Sequence, residues 1–362
     1  MTGCPGLPGV KPVIWMNLHP KYITLNGQPA MVTELIQSAG KKDVWEKEWL
    51  DFLAEWYAPA DFIEVDTSGS TGVPKTIRLK KSFVAASAQR TIRFFDLKEN
   101  DRILHCLPSR YIAGKLMVVR ALLAQLDLHV VDPSTDFSFL QTRPFKFAAM
   151  VPNQAVKMLE FASGIPVRGP QFLLIGGGAL PQLLEEQLQH VSISCYSSYA
   201  MTETATHIAL RKINGSGADR FYHCLEDIQV QLSNDGCLQI IMPGLEQAYL
   251  QTTDFAELKD RRTFRILGRA DHVVISGGMK FFPEQLERKL DPYVMWSFMI
   301  SSIPHESLGQ QLVLVVEGNE DAETIARLKT ICRQQLNKYE QPRQIRFVQK
   351  LPRTENGKLR RF

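Results

Sequence analysis

The chain has 362 residues, with 42 Lys and Arg against 38 Asp and Glu, a formal net charge of +4, and 44% hydrophobic residues. That is enough chain for a large core and two or three domains, the composition is ordinary for a globular protein, and no block of like charges stands out to argue for nucleic acid. The longest apolar stretch, Leu116 to Val131, is broken by Arg120, Gln125, Asp127 and His129, whereas a bilayer span needs about 20 apolar residues, so no membrane insertion is expected.

In chain order, Phe62–Val65 reads as a strand entering a Ser/Thr/Gly loop, and Thr76–Leu79 as a strand leaving it. Residues 82–95 have helical spacing, Arg102–Leu107 is a short strand, 115–126 a buried helix and 128–132 a strand. Phe147–Val151, 154–162 and Phe172–Ile175 continue the strand–helix–strand alternation. Such alternation implies an α/β fold with a largely parallel sheet and helices on both faces. From about residue 226 the pattern changes to short alternating strands, Ile228–Leu232, Leu238–Met242 and Phe264–Leu267, which predict a small antiparallel sheet. After Gly268 the reading is strand, Gly277-Gly278, helix, strand, helix. A domain boundary is therefore expected there, giving domains over 1–268 and 269–362, the second a small α+β unit.

The remaining composition is uninformative about metals or disulfides. Cys4, Cys106, Cys195, Cys224, Cys237 and Cys332 are scattered, without CxxC or zinc spacing, which fits reduced thiols in a cytoplasmic protein. Residues 1–20 lack a basic start followed by an apolar run, so no signal peptide is read. The pairs Lys80-Lys81, Arg261-Arg262 and Arg360-Arg361 suit solvated turns better than nucleic acid.

Two short segments carry the chemistry. Thr67-Ser68-Gly69-Ser70-Thr71-Gly72-Val73-Pro74-Lys75 packs hydroxyls and glycines between two strands, which offers backbone N–H groups, hydroxyl donors and space for phosphate, with Lys75 as a cation. It is not a GxxxxGK[ST] loop, because Pro74 stands where that pattern needs glycine, and the strand after Lys75 leaves no helix N-terminus for the phosphates. Pro352-Arg353-Thr354-Glu355-Asn356-Gly357-Lys358 puts one lysine on a turn almost at the C-terminus.

These segments resemble the adenylate-forming superfamily of acyl-CoA synthetases, carrier-protein adenylation domains and luciferases. Its phosphate-loop pattern TSG[ST]TGxPK is matched at every position from 67 to 75. Gly176-Gly177-Gly178-Ala179, Tyr199-Ala200-Met201-Thr202-Glu203, Thr252-Thr253-Asp254, Gly268-Arg269-Ala270-Asp271 with Gly277-Gly278 and Pro283–Glu287, and finally Pro352–Lys358 follow in family order. Ala200 and Thr253 stand where the family has glycine. The resemblance runs from about residue 62 to the C-terminus. It covers less of the start than the family usually has, so the first subdomain is expected to be trimmed.

The resemblance implies an enzyme that spends ATP and Mg²⁺ to turn a carboxylic acid into an acyl-adenylate and then a thioester of CoA. It implies β- and γ-phosphate binding by Thr67, Ser68, Gly69, Ser70, Thr71, Gly72 and Lys75, with Thr202 at the α-phosphate and Glu203 on Mg²⁺. Tyr199 would stack on adenine beside Gly177, and Asp254 and Arg269 would bind the ribose. Lys358 would bridge the reacting carboxylate and phosphate. Gly178 and Ala179 would line the acyl pocket and Gly277 and Gly278 a thiol channel. Asp271 would be the pivot about which a mobile tail domain rotates.

The acid itself is read from Arg120, six residues beyond Gly114 and in the middle of an apolar helix, where a buried charge demands an anionic partner. In o-succinylbenzoate–CoA ligases an arginine at this offset faces the aromatic carboxylate, and the stretch 202–210 also resembles that group. Lys115 is a second candidate, and His207 reads as structural. Two other readings remain: an adenylation enzyme loading a carrier protein, and a non-catalytic relic of the fold supported by Ala200 and Thr253. The expected partners are small molecules, and the sequence leaves oligomeric state open, a homo-oligomer included.

Overall fold

The computed structural model describes residues 18–66, 75–134, 137–141, 144–162, 169–353 and 361. The phosphate-loop residues Thr67 to Gly72 and the lysine Lys358 lie outside the described residues. The chain opens with a hairpin, β1 (Tyr22–Leu25) and β2 (Gln28–Met31), followed by α1 (Val32–Ser38) and α2 (Val44–Tyr57). A second hairpin, β3 (Phe62–Asp66) and β4 (Thr76–Lys80), forms its own two-stranded sheet and leads into α3 (Lys81–Phe94). The register pairs Asp66 with Thr76, so the two ends of the 67–75 segment are held side by side.

The alternating region follows as β5 (Arg102–His105), α4 (Ile112–Ala124), β6 (Asp127–Val130), β7 (Phe145–Met150), α5 (Pro152–Ala162), β8 (Pro170–Ile175), α6 (Gln182–Leu188) and β9 (Ser194–Ala200). Then come β10 (His207–Lys212), β11 (Tyr222–Cys224), β12 (Gln229–Leu232), β13 (Cys237–Ile241), β14 (Leu250–Asp260) and β15 (Thr263–Arg269). All but β3 and β4 of these strands belong to one 13-stranded sheet, ordered β12-β13-β14-β15-β11-β10-β9-β8-β7-β5-β6-β1-β2. Strands β1, β6, β5, β7, β8 and β9 run parallel to one another. The expected antiparallel strands continue the same sheet beyond β9 through hydrogen-bonded neighbours, and β2 closes the opposite edge.

Helices cover both faces of the parallel part, as the α/β reading requires. Ile103, Phe147 and Leu174 face a core shared with α2, α3 and α4, while Leu104, Ala148 and Leu173 face α5 and α6. This is the period-2 alternation of a doubly covered sheet. Helix α4 is apolar around its circumference, and every residue from Gly114 to Ala124 is buried, Arg120 among them. Strand β5 has β6 on one side and β7 on the other, so the chain reverses direction across the sheet there; in such sheets ligands bind outside the carboxyl ends of the strands near that reversal.

The tail forms a second sheet from β16 (Val274–Ser276), β17 (Met279–Phe281), β18 (Phe298–His305), β19 (Gly309–Glu317) and β20 (Gln344–Val348), packed with α7 (Pro283–Leu290) and α8 (Ala322–Gln335). Its core is a separate cluster that includes Leu286, Ile300, Leu314 and Leu328. No helix among the described residues is long and apolar enough to cross a membrane.

Candidate active site

The carboxyl ends of β8 and β9 bring several of the expected residues to one edge. After β8 the chain turns through Gly176–Ala179, with Gly177 at φ +81°, a left-handed conformation that favours glycine. Gly176 packs against β9 so closely that a Cβ would collide with Ser198 Oγ. Gly178 and Ala179 are exposed at this edge. Strand β9 ends at Ala200 and passes into a single 3₁₀ turn, Thr202–Thr204, which holds Glu203 half-buried with no hydrogen bond or ion pair among the described residues. An unpaired carboxylate suits Mg²⁺, which commonly takes one or two protein carboxylates and completes its shell with phosphate oxygens and water. No cluster of three or more His, Cys, Asp or Glu that could hold a metal occurs among the described residues.

On the antiparallel side, Tyr199, Asp254 and Arg269 meet although they come from β9, β14 and β15. The Tyr199 hydroxyl donates to Asp254 Oδ2, and its ring packs edge-on against Phe264 at 5.3 Å. Asp254 and Arg269 are register partners across β14–β15, with Arg269 Nη1 3.9 Å from Asp254 Oδ1. Arg269 also donates twice to Asp271, at 2.9 and 2.8 Å. Burial pushes the Asp254 carboxyl above its ordinary value against the opposing pull of Tyr199 and Arg269, and burial and the neighbouring Asp254 keep the Tyr199 hydroxyl protonated. The hydrogen bonds from Arg269 to Asp271 hold that guanidinium above its ordinary value. An aromatic ring, a carboxylate and a paired guanidinium in one contact chain can bind a nucleoside. The two glycine replacements do not disturb it: Ala200 and Thr253 lie within β9 and β14 with exposed side chains, and neither has a positive φ.

The acid end is different. Arg120 is 2% exposed, and no carboxylate lies within ion-pair distance of it among the described residues. Its Nη2 lies 3.5 Å from Thr206 Oγ1 and its Nη1 3.3 Å from Met117 Sδ, the guanidinium carbon sits 5.9 Å from the Phe147 ring centre, and Nε has no hydrogen-bond partner among the described residues. Burial pulls its guanidinium down to about 9, so it remains charged at neutral pH. Lys115 does not join it. Lys115 Nζ donates to Glu55 on α2 at 2.8 Å and to the Glu64 carbonyl at 2.9 Å, so the second acyl candidate also ties α2 and β3 to α4. Glu55 is 60 residues away in sequence, and no local pattern in the chain points to that pair.

The tail contributes a polar chain at its junction with the large sheet. Asp271 lies in a 3₁₀ turn, Ala270–His272, and His272 Nδ1 contacts Glu284 Oε1 at 2.5 Å. Arg361 binds Glu287 through both Nη atoms, at 2.7 and 2.6 Å, and the Ile300 carbonyl at 2.7 Å. Sequence reasoning passes over His272 and Arg361, although Arg361 follows the closing motif by only three residues. Gly277 and Gly278 form the two-residue turn between Ser276 and Met279, at φ +58° and +79°, the geometry of a type I′ hairpin. Lys75 is exposed immediately before β4.

Residues 198–207 thus connect several described parts of the site: Ser198 against Gly176, Tyr199 against Asp254, Glu203 at the open turn and Thr206 against Arg120. Comparisons with known proteins give the family. The AMP-binding enzyme family matches residues 24–225, and the AMP-binding enzyme C-terminal domain matches residues 299–358. The 2-succinylbenzoate–CoA ligase of Bacillus mycoides (strain KBAB4) is 27% identical over 335 residues, covering 82% of this chain and 68% of that one. The enzyme of the same name from Listeria monocytogenes serotype 4b (strain F2365) is 26% identical over 321 residues, covering 82% and 68%. Among solved structures, an acyl-CoA synthetase (AMP-forming)/AMP-acid ligase II-like protein from Dyadobacter fermentans DSM 18053 is 31% identical, with a TM-score of 0.59, covering 89% of this chain and 95% of that one. The o-succinylbenzoate CoA synthetase from Bacillus subtilis, in complex with its acyl-adenylate intermediate, has the same fold at a TM-score of 0.70 and 21% identity, covering 82% and 67%.

Proposed function

The chain belongs to the AMP-binding enzyme family, and we propose that it is a 2-succinylbenzoate–CoA ligase working through an acyl-adenylate. In the first step the aliphatic carboxylate of the substrate attacks the α-phosphorus of ATP and pyrophosphate leaves. In the second the CoA thiolate attacks the acyl carbon and AMP leaves. Little covalent assistance is needed; in-line placement and charge neutralisation supply the acceleration.

Tyr199 and Gly177 would flank the adenine, and Asp254 would accept from the ribose hydroxyls while Arg269 donates to the same sugar. Thr67 to Gly72 and Lys75 would hold the β- and γ-phosphates, and Thr202 the α-phosphate. Glu203 would hold Mg²⁺, which would supply positive charge to offset that of the phosphates. Lys358, carried on the domain over 269–362 that turns about Asp271, would stabilise the charge shared by the attacking carboxylate and the α-phosphate. Gly178 and Ala179 would border the acyl chain, and Gly277 and Gly278 the thiol arm.

The observation that carries the choice of acid is Arg120, a buried guanidinium whose partners are a hydroxyl, a thioether and an aromatic face. A charge so placed is costly until an anion meets it. The ring carboxylate of 2-succinylbenzoate would supply one. The test is incubation with ATP, Mg²⁺, CoA and the acid. AMP and the CoA thioester should appear in equal amounts, and absence of AMP in the presence of this acid would refute the reading.

A further inference from the structure

Among the described residues no carboxylate holds Arg120, and its contacts are of another kind. Next to Thr206 in sequence is His207, which is 3% exposed on the first residue of β10. Its Nδ1 lies 3.2 Å from Thr206 Oγ1, and its Nε2 lies 3.2 Å from Thr91 Oγ1 on α3. The Thr91 hydroxyl donates in turn to the Ser87 carbonyl at 3.5 Å, one helical turn back. These contacts close as a one-way chain of donors. Arg120 Nη2–H donates to Thr206 Oγ1, Thr206 O–H to His207 Nδ1, His207 Nε2–H to Thr91 Oγ1, and Thr91 O–H to the α3 backbone. Each hydroxyl gives its one proton and accepts one, and each imidazole nitrogen has one role. The chain requires a neutral ring, and burial together with the Arg120 charge holds His207 well below its ordinary value.

The same segment is stapled to the turn that bears Thr202 and Glu203. Thr204 is fully buried, its Oγ1 lies 2.7 Å from the Thr206 carbonyl, and it accepts the Met201 amide at 3.3 Å. A shift of Thr206 would therefore be felt at both the acid end and the phosphate end.

We propose that Thr206 and His207, backed by Thr91, are positioning residues for acid specificity: they orient Arg120 against Phe147 and leave its Nε–H unpaired for the second carboxylate of a dicarboxylic substrate. This rests on the reading of Arg120 as the carboxylate anchor. It assigns His207 a role that its burial alone does not, because a histidine serving only the core would have no need of a hydroxyl that reaches a charged group.

The experiment is a set of steady-state measurements on Thr206→Val, Thr206→Ser and Arg120→Met, alone and combined, with 2-succinylbenzoate and with benzoylpropionate, which lacks the ring carboxylate. Valine keeps the shape of threonine and removes the hydroxyl. It should raise KM for 2-succinylbenzoate about tenfold, the size expected when a hydrogen bond to a charged group is lost. The kcat, KM for ATP and KM for benzoylpropionate should stay in place, and serine should restore the wild-type value. In the Arg120→Met background, Thr206→Val should add nothing. An unmoved KM in Thr206→Val beside a raised one in Arg120→Met would overturn the positioning role alone. An unmoved KM in Arg120→Met would overturn the carboxylate anchor beneath it. Equal losses for both acids in Thr206→Val would show a structural role and also overturn the proposal.

Discussion

Two arginines at opposite ends of the site are held in opposite ways. Arg269, at the nucleotide end, is one-third exposed in its side chain and is balanced by Asp271 and Asp254, so its charge is settled before any ligand arrives. Arg120, at the acid end, is sealed inside α4 and has no carboxylate within ion-pair distance among the described residues. The difference matches what each would bind. Ribose is neutral and needs directed hydrogen bonds, which a paired guanidinium and carboxylate supply. A substrate carboxylate brings its own charge, and a pre-paired arginine would have to give up a partner to receive it. Under the proposed function, binding selectivity at the acid end would therefore come from a charge left unbalanced in the folded protein, at a cost in stability.

The comparison can be broken or sharpened in four ways. The largest effect is expected from Lys358→Ala, which should lower adenylation about 10²–10³-fold, as the loss of a group at the developing charge does elsewhere. It should do so equally for acids with and without a second carboxylate, while sparing thioester formation from supplied acyl-adenylate; equal loss in both half-reactions, measured by rapid quench, would refute that assignment. Next is Arg120→Met, for which KM for 2-succinylbenzoate should rise about 100-fold, a loss of about 3 kcal/mol. Its melting temperature should rise, because an uncompensated buried charge is replaced by a side chain of similar length. Arg269→Met should do the reverse on stability: Asp254 and Asp271 lose their partner, which costs about 1–3 kcal/mol, and KM for ATP rises while KM for the acid stays. Melting curves of the two variants side by side check the opposite signs.

The smallest effect is on pH dependence. Burial pulls His105 down to about 4, and His207 is also held below its ordinary value. Both rings accept protons more readily in the unfolded chain, so the stability they contribute is present above about pH 6.5 and is lost as pH falls toward the folded value. Each should cost up to about 1.4 kcal/mol per pH unit in that window. Denaturant titrations between pH 7 and pH 5 should show the fall, and His105→Gln should flatten it.

Much of the parallel region was legible because its signals are local. Apolar runs such as Phe147–Met150 alternate between two covered faces, and the apolar circumference of α4 marks a buried helix. The start of the chain went unread even though Asn26-Gly27, both at positive φ between β1 and β2, is a strong hairpin signal, and Trp49, Leu50, Leu53 and Trp56 mark a buried face of α2. Strands β9 and β10 were harder, because Ser194–Ala200 is rich in serine and tyrosine and shows no apolar alternation. At the site, residue types were legible from motif order, but their partners were not. Tyr199 meets Asp254 across 55 residues and Arg120 meets Thr206 across 86, distances over which no spacing rule operates. Lys115 shows the same limit: its neighbours on α4 are visible in the sequence, and its partner Glu55 is not.

The most direct test of the unbalanced-charge account is ATP–pyrophosphate exchange by the wild-type enzyme and Arg120→Met, with 2-succinylbenzoate and benzoylpropionate compared at equal subsaturating concentration. The account predicts that the wild type strongly favours 2-succinylbenzoate and that Arg120→Met exchanges the two acids at similar rates. A preference that survives in Arg120→Met would contradict it, placing recognition of the second carboxylate somewhere other than the buried guanidinium.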